Sequence, residues 1–237
     1  MIQQGFILAA GLGQRMRPLS NDKPKPMVEV HGRPMIEYAL DQLAAHGTTR
    51  CVINTHYKAE VLEDYLQQKC KSMPFDIIIS REEVLLDTGG GLKQGLRFLD
   101  ASQPVIVLSG DSILVDAPHI KTLQQMESAW KPDTSDMLLS LQPLDTMVLT
   151  PGVGDYMLKG GKPIRTPDHS GKYMWNSARI INPRIFDGTP DTPFSFLQLM
   201  DAAQNKNRLS AVIHEGTWHH LSTPDDVKRV SDAWDVK

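Results

Sequence analysis

The sequence predicts an α/β fold in which a mostly parallel sheet is flanked by helices. Between residues 1 and 141, short apolar segments typical of buried strands alternate with longer segments whose apolar residues recur at helical spacing. Strands joined through helices pair in parallel through right-handed crossovers, as in Rossmann-like folds. A chain of 237 residues accommodates one such domain. We therefore expect a single domain over 1–237 whose two halves, 1–141 and 142–237, share one sheet.

The first half presents strands and helices in turn. We predict strands at 6–10, 51–54, 75–79, 105–108 and 137–141, with a short apolar stub at 28–30. Between them we predict a helix that starts at Pro34 and ends at Gly47, a second at 59–68, a third that follows an 87–91 loop, and a fourth at 118–130. Proline suits the first turn of a helix, and glycine suits the residue after its last turn.

The second half predicts a smaller, β-rich portion. Residues 143–171 are turn-rich, and the glycine pair at 160–161 indicates a hairpin that begins with a strand at 156–158. We then predict a strand at 179–181, a helix at 194–203, and a β pair formed by 209–213 and 217–221. A last helix starts at Thr223, because a capping threonine is followed by proline and two acidic residues.

Composition narrows the class of protein. The formal net charge is −3, and no basic run outside the N-terminal loop is long enough to cover a nucleic acid, so we expect no nucleic-acid partner. No signal peptide is evident and no apolar run approaches membrane-spanning length, so we expect a cytoplasmic protein without a membrane partner. Cys51 and Cys70 are then expected to be reduced thiols. Nothing in the sequence indicates the oligomeric state.

The stretch at 6–26 carries the clearest functional signal. After the first strand, Gly11 and Gly13 let the backbone turn tightly and bring its N–H groups close to a ligand. Four cations follow within a short distance: Arg15, Arg17, Lys23 and Lys25. Prolines on both sides of Lys25 restrict the backbone there. Backbone N–H groups beside several cations favour a polyphosphate ligand.

Two common phosphate-binding loops are excluded, and a third pattern fits. A Walker A loop needs Gly-Lys-Ser/Thr, whereas Gln14 follows Gly13. A dinucleotide-binding fingerprint needs a third glycine where Met16 stands. The stretch instead resembles the sugar-nucleotide pyrophosphorylase signature, L-A-A-G-x-G-x-R-M-R-P-L followed by P-K-P, over 8–19 and again from Pro24. This resemblance implies the nucleotidyltransferase fold, which is similar to that of glycosyltransferase A enzymes.

The resemblance also implies a reaction. These enzymes join a nucleoside triphosphate to a sugar 1-phosphate and release pyrophosphate, so we expect 1–141 to bind the nucleotide and 142–237 the sugar. The attacking phosphate oxygen is already ionised at neutral pH, so the step needs alignment and charge neutralisation rather than a general base. No Ser-His-Asp or Cys-His arrangement is evident in the sequence, which agrees with such chemistry.

Three residues are expected to be catalytic. By its place in the motif, Arg15 should lie along the β- and γ-phosphates, and Lys25 should contact the phosphates near the α-phosphorus. Arg17 either shares that role or pairs within the loop. Asp111 follows a strand in Ser-Gly-Asp, where the family has Asn-Gly-Asp, and a carboxylate there suits Mg²⁺ held together with substrate phosphates. The alternative is that Asp111 only terminates the strand.

The remaining nucleotide contacts are expected where predicted strands end, since ligands collect at the carboxyl edge of such sheets. The Asp-Thr-Gly-Gly-Gly sequence at 87–91 resembles the family's base-recognition loop, which begins with glutamate; the alternative is a flexible helix entry. The nucleotide-binding set is therefore expected to comprise Ala9, Ala10, Gly11, Gly13, Gln14, Arg15, Lys25, Asn54, Asp87, Thr88 and Gly90.

The second half matches the family less closely. Gly-Asp-Tyr at 154–156 is similar to a Gly-Asp-Phe sugar-binding element, and 174–178 stands where relatives carry Phe-Thr/Ser-Gly-Ile. The expected sugar contacts are Ser109, Asp155, Asn176 and Ser177. Trp175 either stacks on the sugar or belongs to the core. His220 stands where the family's second metal-ligating aspartate is found, but Mg²⁺ prefers oxygen ligands, so this ligand is missing, softer or replaced by water.

Among subfamilies, the chain most resembles N-acetylmuramate-1-phosphate uridylyltransferases of cell-wall recycling. Its compact length and triple glycine are the features that carry this resemblance. We expect a Mg²⁺-dependent enzyme that makes UDP-N-acetylmuramate from UTP and the sugar 1-phosphate. The alternatives are a mannose-1-phosphate guanylyltransferase and a glucose-1-phosphate thymidylyl- or uridylyltransferase. A catalytically silent nucleotide-sugar-binding regulatory protein is the alternative of another class; Ser109 and His220 favour it, whereas Arg15, Lys25 and Asp111 favour the enzyme.

Overall fold

The computed structural model describes residues 1–234, so the end of the predicted second half, 235–237, lies outside it. Within these residues the strands are β1 (Gln4–Leu8), β2 (Glu29–Val30), β3 (Arg33–Pro34), β4 (Arg50–Thr55), β5 (Asp76–Arg81), β6 (Val105–Ser109), β7 (Ile113–Val115), β8 (Met137–Pro143), β9 (Tyr156–Lys159), β10 (Lys162–Arg165), β11 (Tyr173–Ile181), β12 (Leu209–Ile213) and β13 (Thr217–His219). The α-helices are α1 (Met35–His46), α2 (Ala59–Lys69), α3 (Asp87–Leu96), α4 (Thr122–Ala129), α5 (Leu197–Asn205) and α6 (Pro224–Trp234).

One sheet runs through both halves of the described chain. Its strands follow the order β10-β9-β11-β6-β1-β4-β5, and β8 joins at β11 with β12 on its other side. The strands β6, β1, β4 and β5 are parallel, as the alternation of strands and helices predicted. The structure therefore confirms the α/β class and the mostly parallel core of the sheet.

Long-range pairing differs from the sequence prediction in the second half. Strand β11 inserts antiparallel between β6 and β8, and it is much longer than the predicted 179–181. The predicted β pair of 209–213 with 217–221 is wrong, because β12 pairs in parallel with β8 and β13 pairs antiparallel with β7. Strand β8 was predicted, but its pairing with β12 was not, and β7 is a short strand that the sequence analysis missed.

The two faces of the sheet bury different sets of helices. Successive strand residues point to opposite faces, so on β1 the side chain of Ile7 packs with α1, α2 and α4, whereas Phe6 packs with α3 and α5. A third cluster joins α6 to the N-terminal loop through Met16 and Val230. At a close contact between layers, a Cβ on Gly95 of α3 would lie 2.4 Å from Phe6. This layering leaves the carboxyl ends of β1, β4 and β6 open along one edge.

Gly47 ends α1 in the predicted way. It adopts a φ of 91°, in the left-handed region that favours glycine, and its N–H bonds to the last turn of the helix. Within residues 1–234, no helix is both long and apolar enough to cross a membrane.

Candidate active site

A cleft of about 490 Å³ opens at the carboxyl edge of the sheet. Among its lining residues are eleven that the sequence predicted to contact substrates: Ala9, Ala10, Gly11, Gly13, Lys25, Asn54, Asp87, Thr88, Ser109, Asp111 and Ser177. Trp175, for which the sequence left a sugar contact and a core position open, also lines the cleft. The other lining residues were not assigned to the site from the sequence: Leu8, Pro26, Glu82, Leu85, Arg179, Ser195, Phe196 and Leu197. Residues far apart in the chain thus form one cavity of a size typical for small-molecule sites.

The glycine loop is held in place by its own residues. Gly13 has a φ of 60°, and its carbonyl accepts a hydrogen bond of 2.7 Å from Ser20 Oγ. A Cβ on Gly13 would lie 3.1 Å from Lys25 Cβ, so the loop and the lysine are tightly packed. A glycine is required here because the backbone is left-handed and the neighbouring side chain is close.

A buried polar network connects the loops around the cleft. Asn54 accepts a 2.8 Å hydrogen bond from the backbone N–H of Ala9, and its amide donates to Glu82 Oε1 at 2.7 Å. Glu82 Oε2 accepts the backbone N–H of Leu86 at 2.8 Å, immediately before α3. Both Asn54 and Glu82 are 2% exposed. The network therefore fixes the start of the glycine loop relative to β4 and α3.

Glu82 is a member of this network that sequence reasoning missed. It lies in a charged tetrapeptide, Arg-Glu-Glu-Val, and nothing local distinguishes it from the exposed Glu83 that follows. A carboxyl group buried at a strand end is recognised only when its partners are known.

Lys25 and Asp111 form an ion pair inside the cleft. Lys25 Nζ lies 2.7 Å from Asp111 Oδ2, and the Ser109 hydroxyl donates to Asp111 Oδ1. Burial opposes ionisation of Asp111, but the Lys25 ammonium and the Ser109 hydroxyl together hold its pKa below the ordinary value. Asp111 is therefore ionised at neutral pH, and 35% of its side chain stays exposed to the cleft.

Arg15 and His220 lie near this ion pair without lining the cleft. Arg15 is exposed on a short 3-10 helix, Gln14–Met16. Burial, together with the charges of Lys25 and Arg15, holds the pKa of His220 below its ordinary value despite the nearby Asp111. His220 is thus neutral at pH 7, and its Nε2 lies 2.8 Å from Ser222 Oγ.

The triple glycine belongs to the first turns of α3 rather than to a loop. A Cβ on Gly89 would lie 2.4 Å from the ring of Phe194, and one on Gly91 would lie 2.2 Å from Glu82 Oε1. Gly90 is buried, and a Cβ there would lie 3.0 Å from Leu86 Cβ. In this structure the three glycines therefore allow close packing of protein on protein, and the expected 87–91 loop is helical.

Asp87 and Thr88 stand at the exposed start of α3. The backbone N–H of Thr88 lies 2.5 Å from Asp87 Oδ1, and its hydroxyl accepts a 3.0 Å hydrogen bond from the backbone N–H of Phe196. The carbonyl of Phe194 accepts the N–H groups of Gly89 and Gly90. The segment that precedes α5 is thus attached to the same helix start.

An irregularity in β11 shapes the wall from the second half. The pairing with β8 shifts between Trp175 and Arg179, and Ser177 has a φ of 71°. Such bulges re-aim side chains and are frequent next to active sites. The result is that Trp175, Ser177 and Arg179 all line the cleft together with Phe196. In the sequence, Arg179 is the first residue of the predicted strand at 179–181. A charged residue in a strand expected to be buried was the one signal that could have pointed to the site.

Four further residues of the expected site do not line the cleft. Asn176 is buried and donates to Ser140 Oγ at 2.9 Å. Asp155 lies 3.7 Å from His169 Nδ1, and burial raises its pKa. Gln14 is exposed near Arg15, and Gly90 is buried in α3. The sugar contacts expected from Asp155 and Asn176 therefore stay predictions, since neither side chain lines the cleft in this structure.

Asp111 is the carboxylate of the Lys25–Asp111 pair and part of its side chain is exposed in the cleft, where a hard cation could meet it. Within residues 1–234, no group of three or more His, Cys, Asp or Glu side chains is placed to hold a metal ion. A Mg²⁺-type ion needs only one or two carboxylates, because substrate phosphates and water complete its ligands. The donor set of Asp111 with phosphate oxygens therefore fits such an ion, whereas a site made of protein ligands alone does not.

Comparison with known proteins gives a consistent result. Residues 4–143 match the family model described as Nucleotidyl transferase. The N-acetylmuramate alpha-1-phosphate uridylyltransferase of Caulobacter vibrioides is 36% identical over 223 residues, which cover 92% of this chain and 91% of that protein. The enzyme of the same name from Neisseria meningitidis serogroup B is 30% identical over 237 residues, with 98% and 99% covered.

The fold is also shared with a solved structure. The crystal structure of UDP-glucose pyrophosphorylase in complex with UDP-glucose superposes with a TM-score of 0.79, covering 100% of this chain and 99% of that one. The sequence identity is 18%, so this likeness shows the fold alone.

Proposed function

Because the chain belongs to the nucleotidyl transferase family and is a sugar-1-phosphate nucleotidyltransferase, we propose that its reaction joins UTP to N-acetylmuramate 1-phosphate. The products are UDP-N-acetylmuramate and pyrophosphate, and the activity would serve the recycling of cell-wall sugars. Two relatives that carry this activity in their names align with nearly the whole chain, and they support the choice of substrates. The observation that carries the proposal is the Lys25–Asp111 pair, which lines the same cleft as the glycine loop.

The proposed chemistry is an in-line displacement at the α-phosphorus. A phosphate oxygen of the sugar 1-phosphate attacks, the bond between the α-phosphorus and the β-bridging oxygen breaks, and pyrophosphate leaves. Since the nucleophile is already an anion, the protein has to align the two substrates and offset their charges. We assign the glycine loop to the triphosphate, because Gly11 and Gly13 line the cleft beside Lys25. Backbone N–H groups next to a cation suit phosphate oxygens.

Lys25 and Arg15 are assigned to charge stabilisation. Lys25 is fixed by its packing on Gly13 and by its bond to Asp111, so its ammonium is already placed before substrate binds. Preorganised charge of this kind stabilises a transition state without reorganisation during the reaction. Arg15 is exposed and its charge acts on His220 near the ion pair, so we assign it to the β- and γ-phosphates of a bound nucleotide.

Asp111 is assigned to a divalent metal, for which Mg²⁺ is the proposed ion. When bound, such an ion supplies positive charge to the phosphate oxygens during the displacement. Asp111 would hold it together with the substrate phosphates, and Lys25 would then transfer its interaction from Asp111 Oδ2 to a phosphate oxygen. The lowered pKa of Asp111 keeps the carboxylate ready to bind a cation at neutral pH.

The test is pyrophosphate release with Mg²⁺ over a grid of nucleoside triphosphates and sugar 1-phosphates. We expect release with UTP and N-acetylmuramate 1-phosphate, and little with GTP, dTTP, mannose 1-phosphate or glucose 1-phosphate. Asp111→Asn should retain UTP binding and lose turnover by a factor of about 10³, comparable with the removal of one transition-state contact. Turnover with another pair would refute the substrate assignment. Nucleotide binding without any turnover would favour the regulatory protein.

A further inference from the structure

Arg179 is a buried cation at the cleft whose binding capacity is largely unused. Its side chain is among the most completely buried in the described chain, with 1% of the residue exposed. Nη1 donates to the carbonyl of Ser177 at 3.3 Å, whereas Nε and Nη2 have no hydrogen-bond partner in the described structure. Buried polar groups are nearly always paired, so two unpaired nitrogens on one guanidinium need an explanation.

Two aromatic rings pack against the guanidinium of Arg179. The guanidinium carbon lies 4.1 Å from the centroid of Phe196 and 4.8 Å from that of Trp175. Cation–π contacts hold the group while leaving its edges available for hydrogen bonds. We call Trp175, Ser177, Arg179 and Phe196 the arginine corner of the cleft; all four line it.

The charge of Arg179 is not offset by any carboxylate. Within residues 1–234, no acidic side chain forms an ion pair with it, and burial lowers its pKa to about 9. At neutral pH the group is still protonated, so the folded protein keeps an unpaired buried charge. Burying an unpaired charge costs free energy. A substrate that supplies the opposite charge would offset this cost when it binds.

The unpaired nitrogens identify the shape of the missing partner. Nε and Nη2 lie on one edge of a guanidinium and present two parallel N–H groups, the edge that a carboxylate binds through both oxygens. The same chain shows this pairing at its surface. Arg165 donates from Nε and Nη2 to the two carboxylate oxygens of Asp201, both at 2.6 Å.

We propose that Arg179 binds a carboxylate of the sugar substrate through its Nε–Nη2 edge and thereby selects acidic sugar 1-phosphates. The proposal rests on the proposed function, because N-acetylmuramate carries a lactyl carboxylate that N-acetylglucosamine lacks. The phosphates of both substrates have Lys25 and the glycine loop in the first half, whereas the arginine corner lies in the second half. A second anion on the sugar is therefore the partner that the corner fits.

The carboxylate must displace a covering side chain, since both nitrogens are buried in the present structure. Of the two rings, Phe196 lies closer to the guanidinium, and its backbone N–H donates to the Thr88 hydroxyl at the start of α3. We therefore expect the aromatic cover to move when the acidic sugar binds. Intrinsic tryptophan fluorescence should report this, because Trp175 lies over the same guanidinium.

The experiment compares Arg179→Met and Arg179→Lys with the wild type, using N-acetylmuramate 1-phosphate and N-acetylglucosamine 1-phosphate. Methionine keeps the length and removes the charge, whereas lysine keeps the charge and removes the fork. We expect Arg179→Met to lower kcat/KM for the acidic sugar by about 10- to 100-fold, mainly through KM, the range for a lost charged hydrogen-bond pair. The KM for UTP and the kcat/KM for the neutral sugar should change less than about twofold, and Arg179→Lys should be intermediate.

Two results would overturn the proposal. If Arg179→Met loses kcat/KM equally for both sugars, Arg179 contacts the phosphate or supports the packing of the cleft. If kcat/KM changes for neither sugar, Arg179 takes no part in substrate binding. If the wild type turns over another sugar 1-phosphate but not the acidic one, the proposed function fails. Calorimetric binding of N-acetylmuramate 1-phosphate to wild type and Arg179→Met then still decides the role of the arginine, since weaker binding by the variant supports the proposal and equal binding refutes it.

Discussion

Glu82→Gln tests whether the buried network holds the glycine loop in place. Glu82 accepts two hydrogen bonds through different oxygens, one from the Asn54 amide and one from the backbone N–H of Leu86. Glutamine has nearly the same shape but only one acceptor oxygen, so either orientation of its amide places two donors face to face. One buried N–H is then left without a partner. Turning the Asn54 amide to compensate would sacrifice its bond to Ala9.

The expected cost follows from that unpaired donor. A buried donor left unsatisfied costs about 2 kcal/mol, which corresponds to a decrease in Tm of about 4–8 °C for a domain of this size. Because Asn54 also fixes the backbone N–H of Ala9, the glycine loop should lose its position. We expect kcat/KM for the nucleotide to fall at least about 10-fold, as small misplacements of catalytic groups have large effects.

The matched control is Glu83→Gln, the same substitution at the exposed neighbouring residue. Urea denaturation and thermal unfolding measure stability, and pyrophosphate release at varied UTP concentration measures the nucleotide KM. Glu83→Gln should stay within about 0.5 kcal/mol of wild type, as is usual for surface substitutions. The reasoning is wrong if Glu82→Gln also stays within that range, or if it loses stability while its nucleotide KM is unchanged.

Three further outcomes are expected. Burial raises the pKa of the Cys51 thiol while Cys70 is exposed, so a thiol reagent should modify one cysteine of the native protein and both after unfolding; rapid modification of both in the native state would contradict this. Burial lowers the pKa of His46 in the folded protein despite the nearby Glu127. The His46 imidazole therefore binds a proton more tightly in the unfolded chain than in the folded one. Stability should fall as pH drops below about 6.5, by at most about 1.4 kcal/mol per pH unit for this group, and His46→Leu should reduce the difference in urea-denaturation free energy between pH 7 and 5.5. Arg179→Met removes an unpaired buried charge and should raise the Tm in a thermal scan; a lower Tm would indicate a structural role.

The sequence by itself determined the features that depend on local chemistry. The strand that ends at the glycine loop, the restricted lysine at position 25 and the aspartate after β6 are each recognisable from a few adjacent residues. The parallel core followed from the alternation of strands and helices, because their connections allow few arrangements. For the same reason, most residues expected at the carboxyl edge of the first half do line the cleft.

Only the tertiary structure decided the features that depend on distant partners. The insertion of β11 beside β6, and the pairing of β13 with β7, follow from backbone hydrogen bonds between segments far apart in sequence. The difference between the buried Glu82 and the exposed Glu83 arises from Asn54 and Leu86, which sequence position does not reveal. Within residues 1–234, the Nε–Nη2 edge of Arg179 has no partner because the fold buries this cation against two rings and pairs it with no carboxylate. Burial and pairing are properties of the assembled chain, whereas motifs are properties of short segments.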